Sequence, residues 1–383
     1  MRPRGTARAR AAARPGGRRL LACLAFAAAV LPVRAAPEKS AALDPTFGDP
    51  IPMRGQMPIG FPFYDLPPAS AFLLPRGGWR LDAGLAYENT HAVSKDLLRA
   101  FSDGQRHFLT QADLEAIAAG SKGETAYLVD GENLRLGLSG AWGLGHGLEI
   151  GAELPLYVHT GGFFDGTIEN YHEQFGFGDA GRGAFERDQW FVTYADADGT
   201  LYAEGAPPGI RPGDLSVVLR GAFYRSPTGS SAVSGSFGVE FPTGNVDRIE
   251  GNGALDGVAG VEASWKYRRS SLHVGGRLGF FGGWDALPDL DIRPRRTAFA
   301  VYEHRAGDFS GWYAQVLFER GLFPHRVEGD LGDLTIEAAL GYRRAVGTAG
   351  EFDAALLENL LPASNSPDIG LWLGWRWRPS IAP

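Results

Sequence analysis

Cysteine is nearly absent: one residue in 383, Cys23. A disulfide scaffold is therefore excluded. Beyond the N-terminus no apolar run reaches the ~18 residues that a membrane-crossing helix needs. There is no collagen period. Basic residues are in deficit, with 37 Lys+Arg against 44 Asp+Glu and a net charge of −7. That balance argues against a nucleic-acid partner, which needs basic patches. What the chain does have is glycine, 54 residues or about double the usual share, and 11% aromatics. The composition reads as a Gly-rich, aromatic-rich, all-β protein.

Residues 1–35 read as a secretory leader. Seven Arg and no acid precede the apolar run Leu20–Leu31, and Val33-Arg34-Ala35 offers small residues for cleavage after Ala35. Leu20-Leu21-Ala22-Cys23 imitates a lipobox, but a lipobox Cys follows the apolar run instead of preceding it. With the leader gone, Lys+Arg falls from 37 to 29 because eight Arg leave, the 44 acids stay, and the net charge drops to −15. A cysteine-free, acidic, exported chain suits an oxidising compartment.

From residue 79 onward the pattern has period two. Trp79, Leu81, Ala83, Leu85 and Tyr87 fall on one face, against Arg80, Asp82, Gly84, Ala86 and Glu88. The same alternation predicts twelve strands of roughly 9–11 residues, from 79–88 through 133–142, 148–156 and nine more to 368–377. Soluble strands average about 5–6 residues, whereas a tilted membrane-crossing strand needs about 9–11. One face of each strand is free of charge. The other carries Arg80, Asp82, Arg135, Glu149, Glu153, Arg220, Glu240, Glu262, Arg277, Glu337, Arg343 and Arg376. Twelve apolar faces exceed what a lumen can hold, so lipid is their solvent and the backbone must close on itself. The fold expected is a transmembrane antiparallel up-and-down β-barrel with those twelve charges facing the lumen.

Loop lengths support the same reading. Short connections (143–147, 225–231, 268–271, 306–309, 344–349) alternate with long ones (90–131, 159–213, 242–255, 282–296, 320–332, 359–367). Outer-membrane barrels have short periplasmic turns and long external loops. An even strand number then puts both termini in the periplasm of a Gram-negative cell. Trp79, Tyr87, Trp142, Trp265, Tyr267, Trp312, Tyr342, Trp375 and Trp377 sit near strand ends, as interfacial girdles do. The expected partners are outer-membrane lipid and lipopolysaccharide, the barrel-assembly machinery during biogenesis, and a small-molecule solute.

Residues 36–76 differ. Pro50, Pro52, Pro58, Pro62, Pro67 and Pro68 forbid a strand there. The segment reads as a periplasmic lead-in or a plug, and Phe61, Phe63, Tyr64, Phe72, Leu73 and Leu74 favour docking over a free tail. The domain plan is thus leader 1–35, Pro-rich segment 36–76 and barrel 77–383.

Signals for chemistry are sparse. No Gly-x-Ser-x-Gly elbow occurs. The glycines of Gly176–Gly181 match a dinucleotide fingerprint but lack its βαβ setting. Asp196-Ala-Asp198-Gly199 lacks the remaining ligands of a calcium loop and reads as an acidic turn. No enzyme activity, cofactor or metal is expected. The longest loop holds the candidate site: His159, Asp165, Glu169, His172 and Arg182. Asp165 to Phe175 can form a helix with Ile168, Tyr171, His172 and Phe175 on one face. A loop so long needs a reason to exist. It reads as a lid over the mouth, as a solute contact through these residues, or as a metal-capturing set of His159, Asp165 and His172.

Three phrases carry a resemblance. The first runs His159-Thr-Gly-Gly162-Phe-Phe-Asp165-Gly-Thr-Ile168-Glu-Asn-Tyr-His172-Glu-Gln-Phe175-Gly176 and on to Arg182. The second is Phe241-Pro-Thr-Gly244 with Gly251-Asn-Gly253 and Asp256. The third is Arg54, Gln56, Pro58 and Leu66-Pro67-Pro68. Together they resemble an uncharacterised bacterial outer-membrane family, domain of unknown function 3187. The resemblance implies a β-barrel and no established activity. One departure is the C-terminus, where six residues follow Trp377 although such chains usually finish on an aromatic. Three functions stay open: a narrow channel or uptake protein, a closed structural or interaction barrel, and a membrane-embedded hydrolase.

Overall fold

The computed structural model describes residues 49–120, 125–175, 180–197, 199–324, 331–360 and 366–378, with the backbone alone at 171, 172 and 175. The expected leader, 1–35, lies outside the described residues. Fifteen strands follow in chain order: β1 (Trp79–Val93), β2 (Leu128–Gly145), β3 (Leu148–Thr160), β4 (Phe191–Asp196), β5 (Gly199–Glu204), β6 (Arg211–Pro212), β7 (Leu215–Arg225), β8 (Ser231–Phe241), β9 (Asp256–Tyr267), β10 (Ser270–Phe280), β11 (Arg296–Arg305), β12 (Ser310–Arg320), β13 (Leu334–Val346), β14 (Gly350–Asn359) and β15 (Ile369–Trp377). β1–β3 and β7–β15 pair in chain order, each antiparallel to its neighbour, and β1 pairs with β15 (Leu81↔Trp377 to Asn89↔Ile369). That pairing closes a twelve-stranded up-and-down barrel, so the barrel itself has no open edge.

The alternation in the sequence becomes the wall's two faces. Leu340 is 66% exposed and Leu371 52%, with Leu81, Leu138 and Trp375 also exposed outside, while their neighbours Arg343, Glu351 and Arg376 are buried inside. Short turns join the strands at one end. Between β2 and β3 only His146 and Gly147 intervene, both at positive φ (54° and 73°), the type I′ geometry that matches strand twist.

The other end carries the long loops, and here the structure adds elements that the alternation did not announce. β1 and β2 extend beyond the barrel, and β2 pairs with the β4–β5 hairpin (Val129↔Val192). Asp196 and Gly199 close that hairpin's turn. Helices α1 (Lys95–Ala100) and α2 (Gln111–Gly120) occupy the first long loop, and α3 (Asp165–Phe175) lies where the sequence placed a helix. Ser94 caps α1 by accepting from the Leu97 N–H. Short pieces such as 191–196 fall below the length at which period two separates a strand from a loop.

Two apolar cores cover this end. One joins Val93, Leu97, Leu109, Leu114, Phe185 and Phe191. The other joins Met57, Ile59 and Phe63 to Tyr127, Trp190, Tyr194, Ile249, Trp284, Leu290, Leu322 and Phe323. The second core brings the Pro-rich segment together with five separate long connections.

Candidate functional site: the occupied lumen and its cap

The prolines of 49–76 remove N–H donors and leave the segment's carbonyls without ladder partners. The barrel wall supplies them. At the turn end the Asp49 carboxylate pairs with Arg80 and Arg378, and its carbonyl accepts from Arg343 at 2.8 Å. Gln315 donates to the Ile51 carbonyl at 3.0 Å, and Arg54 pairs with Glu153. Ile51 and Met53 pack on Phe299, Val301, Leu317 and Trp372 of the wall. At the loop end the chain turns through a 3-10 turn, Pro58–Gly60. Arg295 donates to the carbonyls of Gly60 (3.3 Å) and Phe63 (3.0 Å). Phe61 stacks on Tyr157 at 4.9 Å, and Phe63 meets Trp284 edge-on at 5.4 Å.

The chain then descends. Arg277 donates to the Leu66 carbonyl and Arg220 to that of Ser70. The Ala71 N–H reaches Ser264 Oγ at 2.8 Å, and the Leu74 N–H reaches Glu149 at 2.8 Å. Gly77 and Gly78 then pair with Gly143 at the turn end. A Cβ on Gly143 would sit 2.0 Å from the Pro75 carbonyl, so the descending arm passes only because that residue is glycine. Residues 49–78 thus run up the lumen and back down.

Small cavities remain between plug and wall. A cavity of about 70 Å³ lies between the arms and the β15–β1–β2 wall, lined by Asp49, Arg80, Asp82, Arg135, Glu153 and Trp372 among others. A second of about 30 Å³ lies beside Gly55, Glu319 and Glu337. Such volumes hold a few waters.

The inward strand positions are strongly charged. They carry Arg80, Arg135, Arg220, Arg277, Arg343 and Arg376, with Lys266 and Arg305 at the turn-end rim. Against them stand Asp82, Glu88, Glu149, Glu153, Glu240, Asp256, Glu262, Glu303, Glu319, Glu337, Glu351 and Asp353. Arg343 pairs with Glu303 at 2.5 Å and Glu351 at 3.2 Å, Arg376 with Asp82 at 2.5 Å, and Arg220 with Glu149 at 3.1 Å. Glu262 accepts from Ser234 and Ser236. Burial alone would push the Asp49 carboxyl up, but Arg80, Arg378 and Arg376 outweigh it and hold that group well below the usual carboxylate range.

The residues singled out in the longest loop do not converge on one pocket. Asp165 and Arg182 meet at 2.8 Å, and Arg182 also reaches Asn89 (2.6 Å) and Asp368 (2.5 Å), so two parts of the longest loop are pinned to β1 and to the β14–β15 connection. Burial disfavours the Arg182 charge, but Asp368, Asp130 and Asp165 outweigh it and raise its pKa. The Asp188 N–H donates to Asp165 at 2.7 Å. Glu132 accepts from the N–H groups of Phe163 (3.1 Å) and Phe164 (2.8 Å), and a Cβ on Gly162 would strike its carboxylate. Glu169 lies elsewhere, on the outer surface between Arg106 (2.8 Å) and Arg187. His159 is buried, bonded to Asn133 at 2.7 Å and flanked by Tyr157 and Trp190. The His172 side chain lies outside the described residues. Among the described residues no three His, Cys, Asp or Glu groups come together to hold a metal.

The second sequence phrase is also a loop lock. Asp214 accepts from the Gly244 N–H at 2.6 Å, and a Cβ on Gly251 would stand 2.6 Å from its carboxylate. Asn252 donates to Asp256 at 2.7 Å. Burial raises the pKa of Asp214 despite the N–H groups it accepts from.

A hydrolase would need a nucleophile and base near the loop end. Ser264 and His273 do meet at 2.8 Å, but near the turn end, fully buried under Ser70 and Ala71. The other His273 nitrogen faces Ser271, not a carboxylate. Sequence reasoning missed Asp49, Asp65, Arg295, Asp368, Glu88, Glu303, Glu319, Glu351 and Asp353 as site residues. For Glu88, Glu303, Glu319, Glu351 and Asp353 the signal was available, since they sit in phase with the inward face.

Residues 99–378 match the model of a family described as "Protein of unknown function (DUF3187)". The third sequence phrase, Arg54 to Pro68, precedes the matched stretch. A comparison with curated protein sequences finds no match. Among solved structures the chain is similar to a COG4313 outer membrane channel from Pseudomonas putida F1, with 10% identity, 80% of this chain and 97% of that chain covered, and a TM-score of 0.47. It is similar to the KdgM porin at 7% identity, 77% and 98% covered and a TM-score of 0.36. The CymD monoaromatic hydrocarbon channel gives 11%, 80%, 90% and 0.35.

Proposed function

The chain belongs to the DUF3187 family, whose description assigns no activity, and we propose that it is an outer-membrane barrel whose path for a small solute is shut by its own residues 49–76. The apolar exterior, the closed backbone and the alternation of short turns with long loops support lipid as its surroundings. By the same reasoning the short turns and both termini lie in the periplasm. The observation that carries the reading is the nature of the boundary between plug and wall. An inert filled barrel could pack an apolar core throughout. Here much of the plug is held by ionised and hydrogen-bonding groups, such as Arg80–Asp49, Arg54–Glu153 and Arg277–Leu66. Such a wall can exchange the plug for water. The loop residues Asp165 and Arg182 act as a latch that holds the cap loops in place, and solute contact belongs to the lumen.

The test is conductance of the full-length folded chain in planar bilayers. In one variant Asp49→Asn, Arg54→Gln and Asp65→Asn loosen the plug. In another, the same three changes are joined by Ala71→Cys with Ser264→Cys, which places thiols where the Ala71 N–H already lies 2.8 Å from Ser264 Oγ. Current in the loosened chain, and in the cross-linked chain only after reduction, is the expected result. Equal silence in all of them overturns the reading. A closed structural barrel is the second reading, favoured by the apolar core that binds the plug tip to five long connections, and that silence would select it.

A further inference from the structure

The charges along the lumen are unevenly distributed. In the loop-end halves of their strands stand five inward carboxylates: Glu88, Glu240, Asp256, Glu319 and Glu337. The strand arginines at that level, Arg135 and Arg277, are engaged with Glu153 and with the plug. Asp256 is satisfied by Asn252 and the Tyr64 N–H, whereas Glu319 stands 3.2 Å from Arg295 with its Oε2 left without a hydrogen bond. Glu88, Glu240 and Glu337 are different. They are 3%, 7% and 7% exposed and make no hydrogen bond or ion pair among the described residues. Buried polar groups are nearly always paired, and an unpartnered buried carboxylate needs an explanation. The plug offers them nothing: Gly55 approaches Glu319 closely because it has no side chain, and the nearby 30 Å³ cavity is lined by Met57, Ile59 and Leu322 besides the acids. In the closed state Glu319 and Glu337 have only the little water that this cavity can hold.

Resting on the channel reading above, we infer that the lumen, once residues 49–76 leave it, passes small cations in preference to anions, with Glu88, Glu319 and Glu337 setting that preference. Rings of Asp and Glu side chains select cations by raising their local concentration where the path narrows. Inward carboxylates exceed inward cations over the whole wall, and residues 49–76 carry two acids and two arginines, so their departure leaves that excess unchanged. No three of the acids converge as metal ligands among the described residues. The site is thus a diffuse field that a monovalent or organic cation crosses without being held.

The experiment uses the full-length chain carrying Asp49→Asn, Arg54→Gln and Asp65→Asn, and reads the reversal potential across a KCl gradient. A several-fold preference for K⁺ over Cl⁻ is expected. It should shrink as salt rises from 0.1 to 1 M and the screening length falls from about 10 to about 3 Å. Adding Glu88→Gln, Glu319→Gln and Glu337→Gln should bring the ratio close to parity. Because Gln keeps the shape of Glu, folding is checked by heat-dependent gel mobility, and the single changes Glu88→Gln and Glu319→Gln provide a second route if the triple change fails. Current without cation preference, or a preference indifferent to these changes, overturns this inference and leaves the channel reading standing. Absence of current overturns the channel reading itself, and this inference with it.

Discussion

The tip of the plug and its two arms are held by opposite chemistry. At the loop end Met57, Ile59 and Phe63 enter a dry core with Trp284, Leu290 and Phe323. Further down, the arms lie against arginines and carboxylates, with smaller apolar contacts at Ile51 and Met53 on one arm and at Tyr64 and Leu66 on the other. The difference matters energetically. Buried ion pairs roughly break even against hydration, because desolvation offsets most of the Coulomb gain. Apolar burial has no such offset and stabilises by about 25 cal/mol per Å². The arms can thus trade the wall for water at small net cost, whereas the tip cannot. The cap sets the threshold for opening, and the arms set what the opened path prefers.

The largest test strikes the cap. Trp284→Ala removes a side chain that is 1% exposed and touches Phe63. It should cost about 3–5 kcal/mol, measured by urea unfolding in detergent, and make the plug tip sensitive to protease. If Trp284→Ala protects the tip as well as the native residue does, the tip is not what anchors the plug. Next in size is the outer face. Leu138, 40% exposed and paired with Ala83 and Leu154, faces outward near the middle of β2. Leu138→Arg should cost roughly 2–4 kcal/mol in a bilayer. Unchanged heat resistance of that variant would mean that lipid does not cover this face.

How much of this was legible beforehand follows from the physics of each part. The twelve barrel strands were readable because a wall between lipid and a polar lumen imposes strict alternation over nine or more residues. Helix α3 was readable from its apolar face and Asp165 start. The β4–β5 hairpin was not, since six-residue pieces such as Phe191–Asp196 carry too few periods. The course of 49–76 was open too, because proline excludes a strand without saying where the chain goes. Pairings such as Arg182 with Asp368 span 186 residues and left no local trace. His159, Asp165 and Glu169 looked like one constellation by spacing, yet the fold separates them into a buried stack, a latch and a surface pair.

A smaller effect concerns the turn-end arm. Asp49 has a folded-state pKa below its unfolded value near 3.9, because three arginines outweigh its burial. Its stabilising contribution is therefore complete above that unfolded value and declines as pH falls below it. Acidification from about pH 5 towards pH 3 should loosen the arm, read as faster labelling of a Pro50→Cys probe. The Asp49→Asn chain should lose about 1.5–3 kcal/mol at neutral pH and show a flatter acid response. A labelling rate independent of pH in both chains would mean that Asp49 does not hold this arm.

The smallest effect is expected at Glu169, and it sharpens the contrast between latch and surface. Glu169 bridges Arg106 at 2.8 Å and Arg187, whose side chain is half-exposed, on the outside of the cap. Partial burial raises its carboxyl pKa, but hydrogen bonds from Arg187 and Arg106 outweigh that and keep the group ionised. Solvent screens such pairs, which are worth about 0–1 kcal/mol. Glu169→Gln should therefore barely change unfolding or conductance. Asp165→Asn, one turn away, breaks a buried pair with Arg182 and should cost several times more. Equal losses in the two variants would mean that the loop acts as one solute-contacting surface, and the latch reading of Asp165 and Arg182 would fall.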